Sequence, residues 1–213
     1  MSQIESHANL VLSPRFTAAV DYAREIHTGT RKGTPIPYMA HLLGVASLVL
    51  GEVGHVKFSV TEDMVIAALL HDAVEDAGGM PRLRDIEDKF GPAVAEIVAG
   101  CTDSFDEDGS NKQRWEDRKA AYVDRLATGE ESDGTLLVSV ADKVYNARAI
   151  VEDYRQIGPE VWKRFRRGRD KQLWYYDQLW KIYDRRCPDW RITAEFKRVV
   201  HELRDISGDE VTQ

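Results

Sequence analysis

"ALLHDAVEDAGG", residues 68–79, sets His71, Asp72, Glu75 and Asp76 among neighbours, Ala68, Leu69, Leu70 and Val74, that belong in a core. The run leading into it, "MVIAALL" at 64–70, is apolar without strand-like alternation, so the stretch reads as the end of a buried helix. On a helix, positions 71, 72, 75 and 76 fall at about 0°, 100°, 40° and 140°, which brings all four polar groups to one face. A solvated capping turn is the ordinary explanation. Negative charge at a helix C-terminus opposes the macrodipole, however, so Glu75 and Asp76 are better explained by a bound cation.

Outward from this stretch the spacing stays helical, and alternating runs bounded by turn residues are scarce, so the chain reads as all-α. Ser13 before Pro14 starts a first helix through "RFTAAVDYAREIH", and two glycines with two prolines make a loop of residues 28–37. A second helix covers "YMAHLLGVASLVLGEVG", and a third runs from its cap Thr61 to "AGG". Short helices follow around 83–91 and 92–100, and longer ones occupy roughly 112–127, 135–154, 159–183 and 191–206. "CTDSFDEDGSNKQ" is acidic and unperiodic, a surface loop near the site whose residues 103–110 reshape its entrance. No repeat or Pro/Gly/Ser-rich linker divides residues 1–213, so one domain is expected, with its core about 14–183 and a C-terminal helix about 191–206.

The 213 residues are 43% hydrophobic and 31% charged, as in an ordinary folded protein. A net charge of −7 and a pI near 5.4 offer no general attraction to nucleic acid or to an anionic membrane, so an anionic ligand needs a local basic pocket. "WKRFRRGRDKQLWYY" interleaves cations and aromatics, but on a helix this pattern reads first as an amphipathic face with its aromatics in the core. The same segment, 162–176, is the candidate contact for a homo-oligomer. Cys101 and Cys187 lie far apart in no metal-binding spacing, and the start "MSQIESHANLVLSPRF" has no signal-peptide pattern, so a reducing, cytoplasmic setting is expected.

Two further polar residues interrupt apolar helices. His41 precedes "LLGVASLVL", and Asp142 sits inside "LLVSVADKVYNARAIVED" with Asn146 one turn along the same face. A buried carboxylate requires a cation, for which Lys143, Arg148 or a metal are candidates. Together His41, His71, Asp72 and Asp142 form a two-histidine, two-carboxylate set with room for water, a catalytic rather than a closed structural arrangement. Glu75 is placed to take a proton from water, and Asp76 to orient that water or protonate a leaving oxygen; the sequence does not divide these roles. Positive charge for phosphates is available from Arg31 and Lys32 in the loop before His41, and from Lys112, Arg118 and Lys119 around Trp115.

The order H…HD…D resembles the HD phosphohydrolase superfamily. "HTGTRKGTPIPYMAH", "LLHDAVEDAG" and "SVADKVYNARAI" further resemble the hydrolase domain of the Rel/Spo alarmone enzymes, especially the small stand-alone alarmone hydrolases, over roughly residues 14–180. The ED of HDxxED is the discriminating part. The resemblance implies an HD-domain helical bundle in which His41, His71, Asp72 and Asp142 bind one Mn²⁺ and Glu75 and Asp76 act on water. It also implies that Arg31 and Lys32 lie beside the purine and its phosphates, and that Asn146 contacts the nucleotide. Ala149 departs from the pattern, standing where many relatives place a hydroxyl or acidic side chain on the substrate. The expected activity is hydrolysis of (p)ppGpp to GDP or GTP and pyrophosphate. The same chemistry on an adenine alarmone or a 2′- or 3′-phosphorylated nucleotide, or a non-catalytic nucleotide-binding module, are the other readings.

Overall fold

The computed structural model describes residues 9–106, 114–129 and 131–208, and its described residues form helices without a strand. In chain order these are α1 (Pro14–Ile26), α2 (Met39–Gly51), α3 (Glu62–Leu70), α4 (Ala73–Asp76), α5 (Gly79–Phe90), α6 (Pro92–Cys101), α7 (Trp115–Thr128) and α8 (Asp133–Ile157). A 3₁₀ helix (Gly158–Arg164), α9 (Gly168–Arg186) and α10 (Arg191–Ile206) complete the chain. The starts follow local chemistry. Ser13 Oγ accepts from Arg15 N at 3.2 Å, Thr61 Oγ1 from Met64 N at 3.3 Å and Ser132 Oγ from Thr135 N at 3.3 Å, each satisfying a donor the first turn would leave open.

Two helices form the centre. In α3 every residue from Val65 to Leu70 is inaccessible to solvent, and in α8 Leu137, Val138, Val140, Ala141 and Val144 are equally buried. A helix apolar on all sides must be packed on all sides. Helix α8 accordingly meets α2, α3, α6 and α10, and α3 meets α1, α2 and α6. Glycines set the closest approach: at Gly44 of α2 the ring of Tyr145 from α8 lies where a β-carbon would stand. A polar link through the middle runs from Tyr122 to Ser139 to Tyr183, at 2.6 Å for each hydroxyl pair.

The structure departs from the expected helices in three places. The third helix is not continuous to residue 77: α3 stops at Leu70, His71 and Asp72 form a turn, and α4 resumes at Ala73. The cause is local, because His71 Nδ1 bonds the Ala68 carbonyl at 2.8 Å and competes with the backbone ladder there. The expected helix over 159–183 is a 3₁₀ turn and then α9, since Pro159 cannot donate a ladder bond and Gly158 and Gly168 have φ of 61° and 71°. Finally, α5 begins at Gly79, earlier than the expected 83.

Candidate active site

α2, the α3–α4 turn and α8 bring the polar residues of three apolar segments to one point. His41 Nε2 lies 3.2 Å from His71 Nε2, and Asp72 Oδ2 is 3.2 Å from each of them. Asp142 Oδ1 stands 3.4 Å from His41 Nε2 and 3.6 Å from His71 Nε2. One donor atom each from His41, His71 and Asp142 lies within 4.8 Å of the others, the one such group found among the described residues, and Asp72 borders it. Both imidazoles are fully buried.

The arrangement is internally frustrated without a cation. A carbonyl only accepts, so the bond to Ala68 puts the His71 proton on Nδ1 and turns the Nε2 lone pair inward, the tautomer a metal ligand needs. There it faces His41 Nε2 and two carboxylate oxygens. Burial pushes the His41 imidazole down, whereas at His71 the Asp72 and Asp142 carboxylates outweigh the same burial and push it up. Burial opposes ionisation of Asp72 as well, yet the imidazoles hold its carboxyl well below the ordinary range. A divalent cation at the meeting point of these four donors removes the conflict, and two imidazoles with two carboxylates suit such an ion.

Around this point the walls are also charged. A polar chamber of about 180 Å³ is lined by the carboxylates of Asp72, Glu75, Asp76, Asp103 and Asp142 and by the cations of Arg31, Lys119 and Lys143. With Glu75 ionised, the surplus of two negative charges matches a dication. The chamber opens into a wider cleft of about 590 Å³ that shares Arg31, Tyr38, Asp76, Lys119, Lys143, Asn146 and Tyr175 and continues along Lys32, Ala149, Ile150 and Phe165. The shared residues form the neck between the two.

Most candidates picked from the sequence meet here. Arg31 donates to Asn146 Oδ1, and Asn146 Nδ2 donates to Asp142 Oδ1, so the loop before α2 is tied to the buried aspartate. Lys32 is exposed on the wall of the wider cleft. Of the two proposed partners of Asp142, Lys143 takes the role at 2.5 Å, while Arg148 pairs with Glu195 on the far side of α8. Arg118 lies behind the chamber, with Nη1 3.3 Å from Glu75 Oε1 and against Asp103, and so backs the carboxylates. Lys112 and residues 107–110 of the acidic loop lie outside the described residues. Burial, followed by the Asp103 charge, pushes Glu75 up to about 7.

Four residues at the site carried no mark of their own in the sequence. Tyr38 donates to Asp72 Oδ2 at 2.6 Å and stacks on buried His27, with ring centroids 4.9 Å apart. Asp103, its side chain 2% exposed, turns inward to Lys119 at 2.6 Å. Tyr122 and Tyr175 line the chamber from α7 and α9. In the aromatic, Arg-rich segment, Trp162, Tyr175 and Tyr176 are core and Trp174 is 40% exposed.

A family model described as the HD domain matches residues 19–170, which include every donor of this cluster. The chain belongs to the HD domain family. The human guanosine-3′,5′-bis(diphosphate) 3′-pyrophosphohydrolase MESH1 is 33% identical over 151 residues, 70% of this chain and 74% of the human protein. The bifunctional (p)ppGpp synthase/hydrolase SpoT of Escherichia coli K12 is 26% identical over 140 residues, 64% of this chain and 18% of that much longer protein. Among solved structures, lmo0812 from Listeria monocytogenes EGD-e superposes with a TM-score of 0.63 at 30% identity, covering 78% of this chain and 98% of that one. In this HD protein no helix among the described residues is long and apolar enough to cross a membrane.

Proposed function

We propose that this HD protein is a Mn²⁺-dependent (p)ppGpp 3′-pyrophosphohydrolase, releasing pyrophosphate and GDP or GTP. The observation that carries the reading is that Glu75 and Asp76 line the same small chamber as Asp72 and Asp142, directly beside the paired imidazoles. It is supported by the 33% identity to a human protein named for that activity. His41, His71, Asp72 and Asp142 would hold the metal, which when bound supplies Lewis acidity to the phosphoryl oxygen and makes water a better nucleophile at neutral pH.

The chain's own groups do the rest. Glu75, held near 7, is divided between acid and base at neutral pH and accepts the proton of the attacking water. The water oxygen bonds to the phosphorus on the ribose 3′-oxygen, the P–O3′ bond breaks with its electron pair moving to that oxygen, and Asp76 at the neck orients the water or returns a proton to O3′. Arg31 and Asn146 sit at the neck where the 3′-substituent enters, and Lys32 borders the wider cleft that receives the nucleoside. Two free cysteines, Cys101 and Cys187, agree with a cytoplasmic setting.

At Ala149 and Ile150 the wall of the wider cleft offers no polar side chain, which favours one second reading, the same hydrolysis on another nucleotide. The deciding experiment measures metal content of the purified protein and then pyrophosphate and phosphate release from a nucleotide panel with Mn²⁺. Pyrophosphate release from guanosine-3′,5′-bis(diphosphate) is the expected result. If that nucleotide is untouched while another turns over, the guanosine reading fails.

A further inference from the structure

Two lysines stand on one wall of the chamber, where burial alone would select against them. Lys119 of α7 and Lys143 of α8 have side chains only 17% and 13% exposed, and both line the inner chamber and the wider cleft. The ring of Tyr175 joins them: its centroid is 5.0 Å from Lys119 Nζ and 5.9 Å from Lys143 Nζ. The Tyr175 hydroxyl is buried with no hydrogen-bond partner among the described residues. Each ammonium approaches one carboxylate, Asp103 at 2.6 Å and Asp142 at 2.5 Å. Three N–H donors per ammonium leave capacity for an anion in the neck.

The proposed reaction needs such capacity at one particular place. The phosphate beside the ribose is held covalently by the nucleoside and electrostatically by the metal centre. The distal phosphate of a 3′-diphosphate has neither support, and among five carboxylates it would be repelled unless a cation receives it. We propose that Lys119, with Lys143 beside it, seats the distal phosphate and thereby makes the site select a diphosphate over a monophosphate at the scissile position. This inference rests on the pyrophosphohydrolase reading and names the group that gives it its specificity. Lys143 also contacts the metal-facing Asp142, so Lys119 is the residue on which selection can be tested in isolation.

The test compares Lys119→Met with wild type on guanosine-3′,5′-bis(diphosphate) and on a guanosine nucleotide bearing a single 3′-phosphate. Inorganic pyrophosphate and orthophosphate are also titrated calorimetrically into the metal-loaded proteins. Losing a charged hydrogen-bond donor predicts a fall of about 30- to 100-fold in kcat/KM for the diphosphate and in pyrophosphate affinity, with the monophosphate and orthophosphate values changed by less than about 3-fold. Lys119→Arg is expected to keep most of the preference. If Lys119→Met folds poorly, Lys119→Gln, which removes the charge but keeps a donor for Asp103, is read the same way. Equal losses on both substrates, or no loss on either, overturn the inference. Failure of wild type to turn over guanosine-3′,5′-bis(diphosphate) overturns the functional reading instead, and the pyrophosphate-to-orthophosphate affinity ratio then still decides the role of Lys119.

Discussion

Asp72 Oδ2 accepts from Tyr38 and faces both imidazoles, so one small side chain joins the start of α2 to the turn between α3 and α4. Replacing it leaves two facing nitrogens with one fewer anion to balance a dication. Asp72→Ala is expected to lose metal and turnover together, measured by elemental analysis and pyrophosphate release; full metal occupancy in that variant would remove Asp72 from the ligand set. Glu75 supplies a pH dependence. Its carboxyl is pushed from 4.5 up to about 7, so the basic form accumulates as pH rises, and kcat/KM is expected to climb through that region. Glu75→Gln should lower kcat about 10²- to 10⁴-fold and flatten that rise with pH. Stability runs the other way. A folded value above the unfolded one means that the metal-free protein is favoured at low pH and loses that contribution as pH rises from 4.5 through about 7. Thermal melts of the metal-free proteins should therefore show Glu75→Gln gaining on wild type above about 7 and matching it below 4.5.

At the scale of elements, the site depends on how closely α2 and α8 approach. Tyr145 lies over Gly44 and its ring centroid is 5.1 Å from that of His41, so any side chain at residue 44 must displace a ring that packs on the histidine. Gly44→Ala is expected to cost about 1–3 kcal/mol by overpacking and to weaken metal binding as well, read by denaturant unfolding and metal titration. Leu137 of α8, fully buried in the core and outside the metal-facing cluster, separates the two effects. Leu137→Ala should lose about 2–5 kcal/mol of stability while the metal affinity of the remaining folded protein stays near wild type. The turn between α3 and α4 belongs to this scale too. Amphipathic spacing points to an unbroken helix, and the break exists because a histidine side chain captures a carbonyl that the spacing assigns to the backbone.

Across the whole molecule, three buried segments are held with mutually repelling groups at their meeting point, and a bound ion offsets that repulsion. Chelating the metal is expected to lower stability by about 3–4 kcal/mol at ion concentrations 100 to 1,000 times Kd, seen as a metal-dependent Tm. A Tm indifferent to both chelator and added Mn²⁺ would contradict the placement of the ion. The all-helical fold was legible from periodicity because burying α3 and α8 on all sides demands an apolar run that few other structures use. His41, His71, Asp72 and Asp142 were legible for the converse reason: a polar group in such a run needs a partner and so announces itself. Tyr38, Asp103, Tyr175 and the separate uses of Lys119, Lys143, Arg118 and Arg148 were not, because each is an ordinary residue until another helix is brought beside it. The sequence by itself determined which residues could not stay alone in the core. Only the tertiary structure decided which groups faced each other, because distances of about 3 Å between residues as far apart as His41 and Asp142 come from helix packing, which no local spacing encodes.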